Sequence, residues 1–273
     1  MEMQLAVMIT ELSGKKIFPI GIGTWGMGGW MLADNKNDKK EIAAIKFAIE
    51  SGINAIDTAE LYGRGHAEEL VAEAIKGFDR ETLHITSKVW PTHLSRSGIN
   101  GAVNASLKRL GTKYLDLYLI HWPNPLANMQ EAISTMEELI DGGLIRSMGV
   151  SNFGVSDMQK ALDATKKHKI EVNQIEYSVL NKEPEQNVIP FCEKNKVKIV
   201  AYTPLAKGAV NNSKEILKIA GKYKKTPIQV AINYLLKSSL PIPKASTPEH
   251  IREIMGSTGW ELKKEDYAHL KAV

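Results

Sequence analysis

Short apolar runs alternate along the chain with longer segments whose apolar positions recur at helical spacing. Eight of the runs read as strands: PIGIGT (19–24), INAID (53–57), LHITSK (83–88), LDLYLIH (115–121), IRSMGVS (145–151), IEVNQIE (170–176), VKIVAYT (197–203) and LPIPK (240–244). Most are apolar almost without interruption, as strands are when both faces of their sheet are covered. The segments between them carry helix signals. Asp38 and Glu41 have capping-box spacing ahead of Ile42, Ile45 and Ile49, and Gly52 closes that helix. HAEELVAEAIKG (66–77) ends on Gly77, and Ser156 and Gln159 repeat the capping-box spacing. Thr226-Pro227 and Thr247-Pro248 each place Thr at the N-cap and Pro at the first helical position.

Eight strands alternating with helices over roughly 250 residues predict an α/β fold of the (β/α)8 TIM-barrel kind. A doubly wound sheet shows the same alternation and is the rival. LAVMIT (5–10) and KKIFPI (15–20) flank Ser13-Gly14 and read as a β-hairpin that closes the bottom of the barrel. No Pro/Gly/Ser-rich linker divides the chain, so residues 1–273 are expected to form one domain.

GIGTWG (21–26) fits the G-x-G-x-x-G spacing of a dinucleotide-binding turn, but its surroundings do not. The stretch after Gly26 is too Gly-rich to open a helix. The next acidic strand residue, Asp57, lies 34 positions after Gly23, whereas the motif wants one about 20 on. The stretch is expected to be a turn at the mouth of the barrel, with Gly23 letting the backbone approach a cofactor.

Composition narrows the classes. Thirty-five Lys and Arg against 31 Asp and Glu give a net charge of +4 with no basic run, so a nucleic-acid partner is not expected. The N-terminus has no basic leader and no apolar span, and the lone Cys192 fits a small buried hydrophobe in a reducing compartment. A cytoplasmic monomer without metal or membrane association is the expectation.

The chemistry gathers at strand ends. Strand one ends in Gly23, Thr24 and Trp25, and strand two in Asp57 with Tyr62 just beyond. Strand three ends in Ser87 and Lys88, and strand four in His121. Strand five ends in Ser151 and Asn152, strand six carries Gln174, strand seven ends in Tyr202 and Thr203, and strand eight in Lys244. In a barrel this is the catalytic face, and burying such groups is costly unless they are paired. A phenol titrates near pH 10 when unperturbed, too high for easy proton donation. A neighbouring ammonium lowers that value, a carboxylate holds the ammonium in place, and a neutral imidazole orients a substrate oxygen. Tyr, Lys, Asp and His together would protonate a carbonyl oxygen. Asp57, His121 and a serine would alternatively make a hydrolase triad, but no G-x-S-x-G elbow marks a nucleophile.

The ordered blocks IDTAELYG (56–63), TSKVWP (86–91), LIHWP (119–123), GVSNF (149–153), NQIEYS (173–178), AYTPLAKG (201–208) and IPKASTPE (242–249) resemble the aldo-keto reductase family over nearly the whole chain. The resemblance implies a barrel enzyme that reduces aldehydes and ketones with NADPH. It implies a catalytic tetrad of Asp57, Tyr62, Lys88 and His121, with Tyr62 as general acid and Lys88 lowering its pKa. It also implies cofactor contacts: Gly23, Thr24, Trp25 and Asp57 at the mouth; Ser151, Asn152 and Gln174 on the carboxamide; Tyr202 stacked on the nicotinamide. Thr203, Pro204, Leu205, Lys207 and Gly208 would follow the pyrophosphate, and Lys244, Ala245, Ser246, Thr247 and His250 the adenosine 2′-phosphate. Trp25, Trp90 and Trp122 would wall the substrate pocket beside Tyr62 and His121.

Three positions depart from the family pattern. Ala245 stands where many NADPH-using members have Ser, His250 where they have Arg, and Ile254 where an Asn often meets the adenine. His lacks the charge and the fork of Arg at neutral pH. NADPH remains the expected cofactor, with use of NADH as the alternative. Many relatives also carry a long C-terminal loop over the substrate. The short C-terminus here predicts an open, broadly selective pocket, and a cofactor-binding module on the same scaffold is the non-enzymatic alternative.

Overall fold

The computed structural model describes residues 8–272. Eight parallel strands follow one another in sheet order as in chain order: β3 (Ile22–Gly23), β4 (Ala55–Asp57), β5 (His84–Val89), β6 (Leu115–Ile120), β7 (Ile145–Ser151), β8 (Ile170–Glu176), β9 (Lys198–Tyr202) and β10 (Leu240–Pro241). Each overlaps the run that the hydrophobic pattern marks. The first and last are joined where Gly21 N donates to Pro241 O (3.0 Å) and Gly23 N to Pro243 O (3.1 Å), which closes the sheet into a barrel.

That seam explains the first two glycines of GIGTWG. A Cβ on Gly23 would lie 2.8 Å from the Ile242 carbonyl oxygen, and one on Gly21 would lie 2.9 Å from Ile242 Cγ2. Only Gly allows so close an approach. Gly23 thus makes room for the neighbouring strand.

Among the described residues ten α-helices accompany the strands: α1 (Asp38–Glu50), α2 (His66–Ala74), α3 (Arg96–Leu110), α4 (Met129–Asp141), α5 (Val155–Ala164), α6 (Val188–Lys194), α7 (Lys214–Tyr223), α8 (Pro227–Leu235), α9 (Pro248–Met255) and α10 (Lys264–Ala272). The Thr-Pro starts of α8 and α9 are as predicted, and Thr226 with Gln229 completes a capping box. The two other capping boxes are not formed. Helix α1 begins after Asn37, and the Glu41 carboxylate turns instead to Gly28 N (2.8 Å). Helix α5 begins at Val155, so Ser156 lies inside its first turn. No helix among the described residues is long and apolar enough to cross a membrane.

Strand pleating divides the core. Leu117 and Leu119 of β6 join Ala55, Val172, Val200 and Ile242 inside the barrel, whereas Tyr118 and Ile120 face the helices. The hairpin, β1 (Glu11–Leu12) and β2 (Lys15–Lys16), turns through Ser13 and Gly14 at φ 53° and 72°. This is the both-positive geometry of a two-residue hairpin. Residues 5–7 of its first predicted run lie outside the described residues. Leu12 and Ile17 complete the interior cluster. Ser13 N donates to Glu171 Oε1 (2.9 Å), and Ser13 Oγ meets His84 Nε2 (3.0 Å) and Ser147 Oγ (2.6 Å). These partners lie toward the amino ends of β5, β7 and β8, so the hairpin closes the bottom and leaves the carboxyl end open for chemistry. Cys192 is fully buried, and burial pushes its thiol up to about 11, as suits a packing residue.

Candidate active site

Lys88 is the centre of the carboxyl-end constellation. It has no solvent exposure, and its three ammonium protons match three acceptors: Asp57 Oδ2 (2.6 Å), Thr58 O (2.9 Å) and Tyr62 Oη (3.2 Å). Strand register puts these groups in reach, because Asp57 of β4 pairs with Thr86 of β5 and Lys88 lies two residues on, facing the same side. The other Asp57 oxygen, Oδ1, accepts from Gln174 Nε2 (2.7 Å) across the barrel. Burial alone would lower the Lys88 pKa, but Asp57 and Tyr62 together outweigh it and hold the value above the ordinary one.

Tyr62 opens a turn, Tyr62–Gly65, in which Gly63, Arg64 and Gly65 all have left-handed backbone (φ 55°, 55° and 95°). Burial pushes the Tyr62 phenol above its ordinary value, and the pull of the Lys88 ammonium does not offset it. Lys88 lowers the phenol pKa, as expected, but by less than enclosure raises it. It donates to the phenol oxygen, which leaves the phenol proton free for another acceptor, and it stands ready to stabilise the phenolate once that proton leaves.

His121 follows β6 and sits edge-on to Tyr62 (ring centroids 5.7 Å apart) and to Trp90 (5.4 Å). Burial, helped by the Lys88 charge, pushes it down to about 3, so the imidazole is neutral at physiological pH. Its Nδ1 is buried without a partner among the described residues. At the other end of the barrel, burial likewise brings His84 down to about 4. In the unfolded chain both protonate near 6.5. The unfolded state then binds more protons, so stability falls as pH drops below 6.5, each histidine costing about 1.4 kcal/mol per pH unit until its folded value is reached. Urea midpoints measured from pH 7 to pH 5 are expected to fall accordingly, and a His121→Asn variant is expected to lose one proton from that slope. An unchanged slope would contradict the neutral, buried imidazole.

The three expected carboxamide ligands are also brought together, and they satisfy one another. Asn152, with left-handed φ of 65°, donates from Nδ2 to His121 O (3.0 Å) and Ser151 Oγ (3.0 Å), and its Oδ1 accepts from Tyr202 Oη (2.7 Å). Ser151 Oγ donates to the Gln174 carbonyl (2.9 Å). Thr24 is buried, and its Oγ1 is spent on the Asp57 carbonyl (3.0 Å), so it ties β3 to β4.

Past β9 the backbone is left-handed at Thr203, Ala206, Lys207 and Gly208, with Pro204 and Leu205 between. Such a run is strained for side-chain-bearing residues and typical of ligand-binding turns. Beyond β10, Lys244 Nζ donates to Gly26 O (3.0 Å), and Thr247 Oγ1 caps α9 by accepting from His250 N (3.3 Å). Ser246 is half-buried beside them and His250 is exposed. Ala245 is different. Its side chain is buried in the cluster that holds Ile20, Ala44 and Ile251, so it turns away from the surface.

Trp25 and Trp122 are each 44% exposed at the rim, and half-buried Trp90 stands between core and pocket, its N donating to Glu60 Oε1 (2.6 Å). Three participants escaped sequence reasoning. Trp30, 62% exposed, packs edge-on against Trp25 at 4.5 Å, and its carbonyl accepts from Gly63 N. An exposed Trp in a Gly-rich loop was the available signal. Thr58 acts through its backbone carbonyl, which no side-chain pattern marks, and Glu60 accepts from Trp90 N at a position that nothing in the sequence singles out.

A protein-family model described as Aldo/keto reductase family matches residues 19–273. The methylglyoxal reductase YeaE of Escherichia coli is 35% identical over 269 residues, covering 95% of this chain and 92% of that protein. Among solved structures, the thermostable aldo-keto reductase Tm1743 in complex with the inhibitor epalrestat superposes with a TM-score of 0.91 at 40% identity, covering 96% of this chain and 98% of its own. An aldo/keto reductase from Klebsiella pneumoniae in complex with NADP and acetate superposes at 0.90 with 33% identity, covering 97% and 94%.

Proposed function

The chain belongs to the aldo/keto reductase family, and on that premise we propose that it reduces small aldehydes and ketones to alcohols with NADPH, Tyr62 delivering the proton. The observation that carries this is the Lys88 ammonium with all three protons committed, one of them to the Tyr62 oxygen. That arrangement suits a phenol that must give up its proton and then hold the charge.

The residues at the carboxyl end fit a phosphorylated dinucleotide. An exposed lysine, a capped helix N-terminus and a left-handed loop are suited to phosphate groups. Lys244, Ser246, Thr247 and the Thr203–Gly208 turn would hold the phosphates, with Ser151, Asn152, Gln174 and Tyr202 at the nicotinamide. Once bound, the cofactor supplies a hydride to the carbonyl carbon. The chain does the rest. Neutral His121 orients the carbonyl oxygen, and Tyr62 protonates it as charge develops there. Lys88, fixed by Asp57 and Thr58, stabilises the resulting phenolate. Trp25, Trp90 and Trp122 supply apolar walls with few polar anchors, which suits a range of carbonyl compounds, 2-oxoaldehydes such as methylglyoxal among them. All these groups come from one chain, which favours a monomer, and the single buried Cys192 suits the cytoplasm.

The test is a kinetic comparison of NADPH with NADH across methylglyoxal, aromatic and aliphatic aldehydes, diketones and sugars. Turnover with a preference for NADPH is expected, and a weaker preference than an arginine would give is the expected signature of His250. Cofactor binding, read by quenching of tryptophan fluorescence, without turnover on any carbonyl would replace the reductase by a binding module.

A further inference from the structure

We infer that buried Glu68 and half-buried Arg109, an ion pair outside the barrel, position Tyr62 against Lys88; the inference rests on the reductase reading and deepens it. Glu68 is the third residue of α2 and has no solvent exposure. A carboxylate there is costly unless fully partnered. Its Oε1 accepts from Ser87 Oγ (2.6 Å), and its Oε2 accepts from Arg109 Nε (2.6 Å) of α3.

The two partners lead to the two halves of the proton-donor assembly. Ser87 precedes Lys88 on β5, and successive strand residues face opposite sides. Lys88 points into the barrel and holds Tyr62, while Ser87 points outward and holds Glu68. Arg109 reaches the other half. Its side chain lies over Gly65, where a Cβ would collide with its Nε and Cδ, the latter at 2.5 Å. Gly65 ends the left-handed turn that begins at Tyr62 and hands the chain to α2. The turn carrying the phenol is therefore clamped, from behind, to the same strand that carries the ammonium. Arg64 is the one of these three left-handed residues that carries a Cβ and is strained there, so the turn needs such support, and Gly63 N donating to Trp30 O (3.0 Å) is the corresponding tie on the mouth side. Neither Glu68 nor Arg109 belongs to the tetrad or to the expected cofactor contacts, so their part is to position and not to react.

The test separates position from stability. Replacing a buried ion pair by apolar residues of similar volume is often neutral for folding, so Glu68→Leu/Arg109→Met is expected to keep the barrel folded while losing the directional bonds. A small displacement of the phenol then lowers kcat by about tenfold or more. KM and the NADPH Kd, the latter read by fluorescence without turnover, are expected to stay within about threefold. Arg109→Lys, which keeps the charge and an aliphatic stem over Gly65, is expected to retain most of kcat. If the double variant does not fold, Ser87→Ala carries the same test, since it removes only the hydroxyl donor and is expected to lower kcat alone. A folded variant with wild-type kcat overturns the inference, and so does a parallel loss of kcat and cofactor affinity, which would mean general loosening. Tyr62→Phe measured alongside tells two failures apart. If it is inert while the pair variants turn over normally, only the positioning role falls; if it is fully active, the reductase reading falls as well.

Discussion

Tyr62→Phe is expected to reduce carbonyl turnover by ~10²–10⁴-fold, the usual contribution of a positioned general acid, while leaving the barrel folded and NADPH bound. The ring itself is kept, and with it the edge-on contact to His121. Only the hydroxyl goes, so Lys88 loses one of three acceptors and retains Asp57 and Thr58. Losing one hydrogen bond of this kind costs about 1–3 kcal/mol, which a folded domain usually survives. Cofactor affinity is expected to change little, because no cofactor contact is assigned to the phenol, and the loss should appear in kcat and not in KM. Stopped-flow or steady-state NADPH oxidation with methylglyoxal and an aromatic aldehyde measures it. Turnover within about threefold of wild type would remove Tyr62 from the role of acid.

The barrel was legible because its signal is local. Eight apolar runs at regular spacing survive any detail of packing, and each became a strand. The hairpin followed from Ser13-Gly14, a turn whose backbone needs are plain from residue type. Helix starts were less legible, because side chains with capping potential can serve other partners. Glu41 caps nothing and instead holds Gly28 N. The tetrad could be named because its members lie at strand ends, where fold and chemistry coincide. Its electrostatics could not, since burial decides them. A lysine beside a phenol suggests an acidified phenol, yet enclosure raises Tyr62 more than Lys88 lowers it. Glu68 and Arg109 were invisible for a related reason. They lie 41 positions apart on two helices and reach the site only from behind, through the reverse side of β5 and the back of the Tyr62 turn.

Lys88→Met is expected to destabilise the protein by about 3–5 kcal/mol as well as to abolish reduction, because it strands a buried carboxylate. Asp57 keeps only Gln174 as a side-chain donor, and the Thr58 carbonyl loses the Lys88 donor. The pH dependence follows from the raised Lys88 pKa. The lysine's stabilisation is fully present below its unfolded value of about 10.5 and is lost as pH rises through the higher folded value. The gap in urea midpoint between wild type and Lys88→Met is therefore expected to stay constant from neutral pH to about pH 10 and to narrow only above it. Adding Asp57→Asn removes the stranded charge. The double variant is expected to recover most of the lost stability and none of the activity, because neutralising the partner restores the folding balance but supplies no cation for the phenolate. A double variant as unstable as the single one would mean that Lys88 stabilises the fold through Thr58 and Tyr62 and not by neutralising Asp57. A double variant that reduces carbonyls would mean that the phenolate needs no ammonium beside it, and the role assigned to Lys88 would fall.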